Sequence, residues 1–454
     1  MADIRPPPAE GFPLTVETLI IGAGAAGLTA ALAARDRGRE VLVLERDPVP
    51  AGSTALSAGL VPAAGTALQS DAGIEDDWER FASDIQAKAK GENDMALVER
   101  LARGAAPAIG WLMERHGLPF SLVHDFDYPG HSRRRMHGLP TRAGAELVDR
   151  LRAAAEEAGA DILCDATVRT LFAEGRRIVG VALKRPDGTE ERIGGARLVL
   201  ACNGFGGNRA MVAEEMPDIA GALWFGHDGN RGEAVDWGRA IGAATRHLGA
   251  YQGHGNVAHP HGILITWATI TEGGVQVNRE GRRFWDESQG YSEAARAVLA
   301  QPGGAAFTIF DERIAAIARQ FADFRTAEAQ GAIRRGQTPE ALAEALDVPA
   351  AVLGETLSAI PAGGVDVFGR RFPARPLEAP YLGVRVTGAL FHTQGGLETD
   401  EAARVIDQEG RAFPNLFAAG GAACGVSGAS DSGYLSGNGL LSAIVLGRLA
   451  GSAP

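Results

Sequence analysis

Cysteine is scarce: 454 residues carry three, Cys164, Cys202 and Cys424. They lie far apart with no CxxC spacing, which argues against a disulfide framework and against a zinc or iron–sulfur site. A reducing cytoplasm is the expected compartment. No apolar run reaches the roughly 18 residues of a membrane-spanning helix, so no membrane span is expected. The lead "MADIRPPPAEGFP" has acids and prolines where a signal peptide needs a basic start and an apolar stretch. Positive charge is in deficit, 44 Lys and Arg against 56 Asp and Glu, for a net charge of -12. A nucleic-acid partner, which requires a basic surface, is therefore not expected. His254, His259 and His261 have no cysteine or acid at ligand spacing, so no metal site is expected. Ser427, Ser430 and Ser436 lack the turn context of an activated serine nucleophile.

What the chain has in abundance is glycine, 61 residues gathered in short motifs without a repeat. With 45% apolar and 22% charged residues the composition is that of a globular protein, long enough for two or three domain-sized units. "TVETLIIGAGAAGLTAALAARDRG" reads as strand, glycine turn and helix, and "EVLVLERD" as the next buried strand. Within it stand Gly22, Gly24 and Gly27 in a GxGxxG frame, and Glu45 ends the second strand. The first glycine permits the tight turn, the second the approach of a pyrophosphate to the helix N-terminus, the third close helix–strand packing. The acid then takes a ribose hydroxyl. The fold class expected is α/β: a nucleotide-binding domain over 1–253 and 379–454, split by an insertion over 254–378 where the texture changes to α+β.

Five later segments, "GSTALSAGL", "LACNGFGGN", "HDGNRGEAVDWGRAIGA", "HTQGGLETD" and "NLFAAGGAACG", follow the GxGxxG unit. As a set, in this order and approximate spacing, they resemble the flavoprotein family of fumarate reductase and succinate dehydrogenase, which includes the ketosteroid Δ1-dehydrogenases. The resemblance implies FAD in a split Rossmann-type domain with an inserted α+β capping domain. It places the cofactor against Gly22, Gly24, Ala25, Ala26 and Gly27, then Glu45 and Arg46, then Gly52, Ser53, Thr54, Ser57 and Gly59. Val168, Ala201, Asn203, Gly204 and Asp228 follow, and near the end Gly420, Gly421, Asn438, Gly439, Leu440 and Leu441. Ser53 stands where succinate dehydrogenases carry the flavin-linking histidine, so the FAD is expected to be noncovalent. Many relatives have an acid where this chain has Gly421. A second dinucleotide motif and a CxxCH haem site are both missing, so a separate electron acceptor or donor is expected.

The dicarboxylate-reducing relatives use two arginines, a proton donor and a carboxylate clamp. At the matching places in "VNREGRRFWDESQGYSEAARAVL" and "YLSGNG" this chain has Tyr291 and Tyr434. Two phenols in place of two bidentate forks suit a ketone better than a carboxylate. The pattern resembles the ketosteroid dehydrogenase branch. That resemblance makes Tyr291 the base that removes an α-proton, and Tyr434 with the Asn438 N–H the donors to the carbonyl oxygen; hydride then leaves for flavin N5. His392 matches a substrate histidine of the dicarboxylate branch, and His259 with Glu272 keep the spacing of another histidine and a relay acid. Open alternatives are that Tyr434 packs over the flavin and Tyr291 is an ordinary aromatic of the inserted domain. Arg133, Arg134 and Arg135 form either a solvated lip or a carboxylate contact.

The function expected is an FAD-dependent dehydrogenase that introduces a C=C bond α,β to a ketone, cyclic or 3-ketosteroid-like. The alternatives are a flavin-dependent reductase of an activated alkene, such as fumarate or another unsaturated carboxylate, and a flavin-binding subunit without turnover. A small-molecule ketone or alkene is the expected substrate.

Overall fold

The computed structural model describes residues 2–124 and 127–454. Its first stretch carries strand β1 (Leu14–Ile21), helix α1 (Ala25–Arg35) and β2 (Val41–Leu44). Helices α2 (Trp78–Lys88), α3 (Met95–His116) and α4 (Gly144–Glu157) follow, then β3 (Asp161–Leu163), β4 (Thr167–Glu174), β5 (Arg177–Lys184) and β6 (Glu190–Leu200). The middle holds β7 (Tyr251–Ala258), α5 (Tyr291–Leu299), β8 (Ala305–Asp311) and β9 (Tyr381–Thr393), and the chain closes with β10 (Ala412–Ala418) and α6 (Asn438–Ser452). Local signals set many boundaries. The Asp77 side chain accepts from the Arg80 N–H at 2.7 Å to open α2, and Gly117, at φ 68°, closes α3.

The backbone divides into two compact units. One runs to Glu215, resumes over Gly226–Tyr251 and closes with His392–Pro454; the other comprises Met216–Phe225 and Gln252–Phe391. Residues 379–391, which the sequence gives to the closing part of the nucleotide domain, belong to the second unit. The reason is pairing: β9 runs antiparallel to β8 from Thr387 against Ala305 to Tyr381 against Asp311.

In the first unit the sheet order is β4-β5-β6-β1-β2-β3. The strands β6, β1, β2 and β3 run parallel to one another, β10 joins β6 in parallel over Leu198–Leu200, and β4, β5 and β6 pair antiparallel. Fully buried runs such as the "VLVL" of β2 are what a sheet covered on both faces demands. Register aligns Ile21 with Leu44 and with Leu200, and Leu200 with Ala418. The carboxyl ends of β1, β2, β6 and β10 therefore finish in one row, the edge at which open α/β sheets bind ligands. Helix α6 lies on α1 with glycine at the crossing: a Cβ at Gly447 would stand 2.5 Å from the Ala26 carbonyl, and one at Gly451 2.2 Å from that of Ala30.

The second unit sets β7, β9 and β8 side by side. One apolar cluster gathers Val298, Phe310, Ile314, Phe324 and Val384, and another Val275, Ile309, Leu342 and Leu353. Helices follow strands without βαβ alternation, which makes this unit α+β. Among the described residues of the whole chain, no helix is long and apolar enough to cross a membrane.

Two fully enclosed imidazoles link this packing to pH. His137 gives its Nδ1 hydrogen to the Arg135 carbonyl and accepts from the Thr66 hydroxyl, both at 2.9 Å. Burial holds its pKa down to about 4, and that of His254 to about 3. The unfolded chain takes these protons near pH 6.5, so their contribution is complete above that pH and is lost as pH falls toward 4. The slope is about 1.4 kcal/mol per pH unit for each histidine. Urea unfolding of wild type and His137→Gln at pH 6.5 and pH 5 should show a smaller loss of stability in the variant. Equal pH dependence of the two proteins would contradict this.

Candidate active site

The row of strand ends carries the glycine motif. Gly22 follows β1 at φ 105°, and a Cβ there would meet the Ala201 carbonyl oxygen at 2.5 Å. Gly27 lies tighter still, since a Cβ would stand 1.8 Å from the Gly22 oxygen. Gly24 is the N-cap of α1 and supplies no side-chain cap, so the helix presents its positive end at the sheet edge. The Thr54 hydroxyl accepts from the Ala25 N–H at 3.0 Å. Glu45 ends β2 buried, its carboxylate accepting from the N–H groups of Ala23 at 2.7 Å and Asp47 at 3.0 Å. A dinucleotide fits this cradle: close backbone approach, a helix N-terminus whose own N-cap residue has no side chain, and an acid one strand over.

Around the 52–59 loop, Ser57 donates to the Thr54 carbonyl at 2.7 Å and accepts from the Gly59 N–H at 3.0 Å. Ser53 accepts from the side-chain amides of Asn203 at 2.8 Å and Asn230 at 2.9 Å. Asn230 is buried, whereas Asp228 of the same segment is exposed; the sequence reading named Asp228 and passed over Asn230. Arg46 pairs with Glu233 at 2.6 Å. Val168 lies buried in β4, paired with Leu183 of β5, and Ala201 continues β6 with its N–H on the Ile21 carbonyl at 2.9 Å. The departure at Gly421 has a steric cause. Asn203, at φ 66°, points its Oδ1 so that a Cβ at Gly421 would stand 2.1 Å from it, and the same Oδ1 accepts from the Gly204 N–H at 2.8 Å. A side chain at 421 would require the Asn203 amide to turn away from this position.

Beside this cradle, the loop before α6 brings Tyr434, His392 and Asn438 together. Tyr434 is 8% exposed and meets the His392 ring edge-on at 5.3 Å. Burial pushes its phenol up to about 12, against the pull of the Gly437 and Gly439 N–H groups, which donate to its oxygen. His392 accepts at Nδ1 from Gln394 at 2.7 Å, which leaves its hydrogen on Nε2. Desolvation lowers its pKa to about 4, so it is neutral. The Asn438 N–H is not the donor the resemblance assigned, because it is spent on the Leu435 carbonyl at 3.0 Å. The Asn438 side-chain Oδ1 is instead buried with no partner. Gly439 and Leu440 open the first turn of α6, and Leu441 is bonded back to the Gly437 carbonyl at 2.9 Å.

In the second unit, Tyr291 is the first residue of α5. The His254 ring stacks on it at 5.2 Å and on Phe391 at 5.5 Å, and Trp267 stands edge-on to His254 at 5.6 Å. Sequence reasoning missed His254 as a partner of Tyr291; its place on β7 gave no local signal. His259 is exposed beyond the far end of β7, about 16 Å along the chain from His254 at strand rise. The structure does not bring His259 to the Tyr291 cluster. Glu272 caps the short helix Ala268–Thr271, and its backbone carbonyl accepts from Arg313 at 3.2 Å.

Of the three consecutive arginines, Arg135 is neither part of a solvated lip nor open to a substrate carboxylate. Its side chain is fully enclosed, held by Asp76 at 2.8 and 2.9 Å and by Asp84 at 2.5 Å. Arg134 pairs with Asp127 at 2.6 Å at the surface. A charge shut in with two acids has no fork left for a ligand.

The crowding of position 421 by Asn203 is testable. Gly421→Glu should displace Asn203 from Ser53 and lower the flavin bound per chain, measured by flavin absorbance after gel filtration. The double variant Gly421→Glu, Asn203→Gly should recover part of it. Full flavin content in the single variant would contradict the steric account.

Comparison with known proteins agrees with this geometry. The family model described as FAD binding domain matches residues 17–440. A probable fumarate reductase of Shewanella frigidimarina is 32% identical over 98% of this chain and 75% of its own length. The 4-oxocyclohexanecarboxylate 2-dehydrogenase of Sinomonas cyclohexanicum is 26% identical over 90% of this chain and 88% of its own. Among solved structures, a flavocytochrome c3 fumarate reductase in its open conformation superposes with a TM-score of 0.84 at 31% identity, covering 98% of this chain and 78% of that one. The 3-ketosteroid Δ4-(5α)-dehydrogenase of Rhodococcus jostii, in complex with 4-androstene-3,17-dione, gives 0.79 at 26% identity over 99% of each. The chain belongs to the FAD binding domain family, and it is an FAD-dependent oxidoreductase acting on CH–CH groups.

Proposed function

We propose that this protein is a dehydrogenase that introduces a C=C bond α,β to the carbonyl of a cyclic ketone. The observation that carries the reading is Tyr434, a buried phenol that accepts two backbone N–H bonds at the N-terminus of α6. Accepting them polarises its O–H toward a further acceptor, and burial keeps it protonated. A substrate carbonyl is such an acceptor. As the α-proton leaves, negative charge grows on the carbonyl oxygen, and a preorganised neutral donor at a helix N-terminus stabilises that charge.

Tyr291 is the base in this reading. It opens α5, whose N-terminus has no side-chain cap, and the partial positive charge there favours a phenolate nearby. His254, neutral and stacked on the ring, contributes shape and exclusion of water without charge. His392, edge-on to Tyr434 and carrying its hydrogen on Nε2, is in this reading a second donor to the substrate. FAD, when bound, supplies the acceptor for the β-hydride, and a separate carrier removes the electrons. The named activity of the Sinomonas cyclohexanicum relative, on an oxocyclohexanecarboxylate, supports a small ring over a steroid.

A second reading, reduction of an activated alkene such as an unsaturated carboxylate, draws support from the 32% identity to a fumarate reductase and from His392. Against it stand the tyrosines at both expected arginine positions and the enclosure of Arg135.

Turnover of a cyclic ketone with an artificial electron acceptor distinguishes the two. Tyr434→Phe and Tyr291→Phe should each lose activity by about 10²–10³-fold while keeping bound FAD. Variants with wild-type turnover would sink the ketone mechanism, and loss of FAD with loss of activity would return Tyr434 to a packing role.

A further inference from the structure

The enclosed arginine has a purpose legible one residue further on. His131 bridges Arg135 and the loop that carries Tyr434. Its Nε2 donates to the Ser436 carbonyl at 2.9 Å, and its Nδ1 accepts from Arg135 Nη1 at 3.4 Å. A carbonyl only accepts and a guanidinium only donates, so the ring holds one hydrogen, on Nε2. Burial agrees, lowering the His131 pKa to about 4. Behind it Asp76 and Asp84 pin the guanidinium, and the Phe81 ring stacks on the imidazole at 6.0 Å.

The Ser436 carbonyl and the Gly437 N–H belong to one trans peptide, so they point in opposite directions. The carbonyl faces His131, and the N–H faces the Tyr434 phenol oxygen. The peptide also requires glycine: Gly437 sits at φ 88°, and a Cβ would stand 2.6 Å from Pro62 Cδ.

We propose that His131, backed by Arg135 and Asp84, is a positioning residue for the carbonyl-binding tyrosine: by holding and polarising the Ser436–Gly437 peptide it aims that N–H at Tyr434. Asp84 fixes the guanidinium in place, and successive hydrogen bonds polarise one another, so the series from Arg135 through His131 and the peptide strengthens Tyr434 as a donor without touching substrate. The inference rests on the reading of Tyr434 as the substrate donor.

Steady-state turnover of the holoenzyme on a cyclic ketone tests it through a double-mutant cycle. His131→Leu removes the donor and should lower kcat about tenfold, less than the 10²–10³-fold cost of deleting a direct donor, at unchanged FAD content. His131→Gln, whose amide can reach the carbonyl, should recover most of that loss. In a Tyr434→Phe background, His131→Leu should change kcat by less than about twofold, because coupled residues are not additive. Should His131→Leu not retain FAD, His131→Met is the alternative variant without a donor.

Wild-type kcat in the donorless variant overturns the proposal, as does a tenfold loss repeated in the Phe background. If Tyr434→Phe itself turns over normally, the donor reading of Tyr434 falls and this inference with it. If Tyr434→Phe loses activity while His131→Leu does not, only the inference falls.

Discussion

The contact between Gly27 and the Gly22 carbonyl, where even one methyl would stand 1.8 Å from the oxygen, fixes the rest of the site. It seats the N-terminus of α1 against the end of β1. Helix α6 then packs on α1 through Gly447 and Gly451, again backbone to backbone. Since the Tyr434 loop leads directly into α6, the dinucleotide cradle and the Tyr434 loop hang from one packed pair of helices. Backbone-to-backbone packing of this kind leaves little freedom to slide, and catalysis by positioned donors needs that stiffness.

The chemistry around Tyr434 is carried by neutral hydrogen-bonding groups. Tyr434 stays protonated, and His392 and His131 stay neutral, because each has lost its water. The full charges nearby are spent on one another, as Arg135 is on Asp76 and Asp84. An environment of neutral donors suits a carbonyl whose charge appears only as the reaction proceeds, since it need not overcome the hydration of a charged substrate. A carboxylate, charged from the start, calls for the forked cations that positions 291 and 434 lack.

Much of the fold could be read from the sequence because its signals are local. Buried apolar runs gave the parallel strands, and the glycine frame with Glu45 gave the cradle, since turn, helix end and acid are tied by short chain spacing. What escaped depends on partners brought in by the fold. Three consecutive arginines resemble a solvated surface, and only the burial of Asp76 and Asp84 shows that Arg135 is structural. The Asn438 N–H was assigned by analogy, yet a tight turn commits it to Leu435. The exchange of an acid at 421 for room taken by Asn203 involves residues more than 200 positions apart. The bond of Asn230 to Ser53 joins residues 177 positions apart, so its place beside the cradle had no local signal.

Anaerobic mixing of the oxidised holoprotein with saturated ketones, cyclohexanone-type and steroid, and observation of the flavin absorbance tests the direction and the substrate class at once. Bleaching by a small cyclic ketone, absent with a saturated dicarboxylate, is the expected result. A flavin that no ketone bleaches, yet which after chemical reduction is reoxidised by fumarate-like acids, would contradict the assignment of Tyr434 and Tyr291 to ketone chemistry.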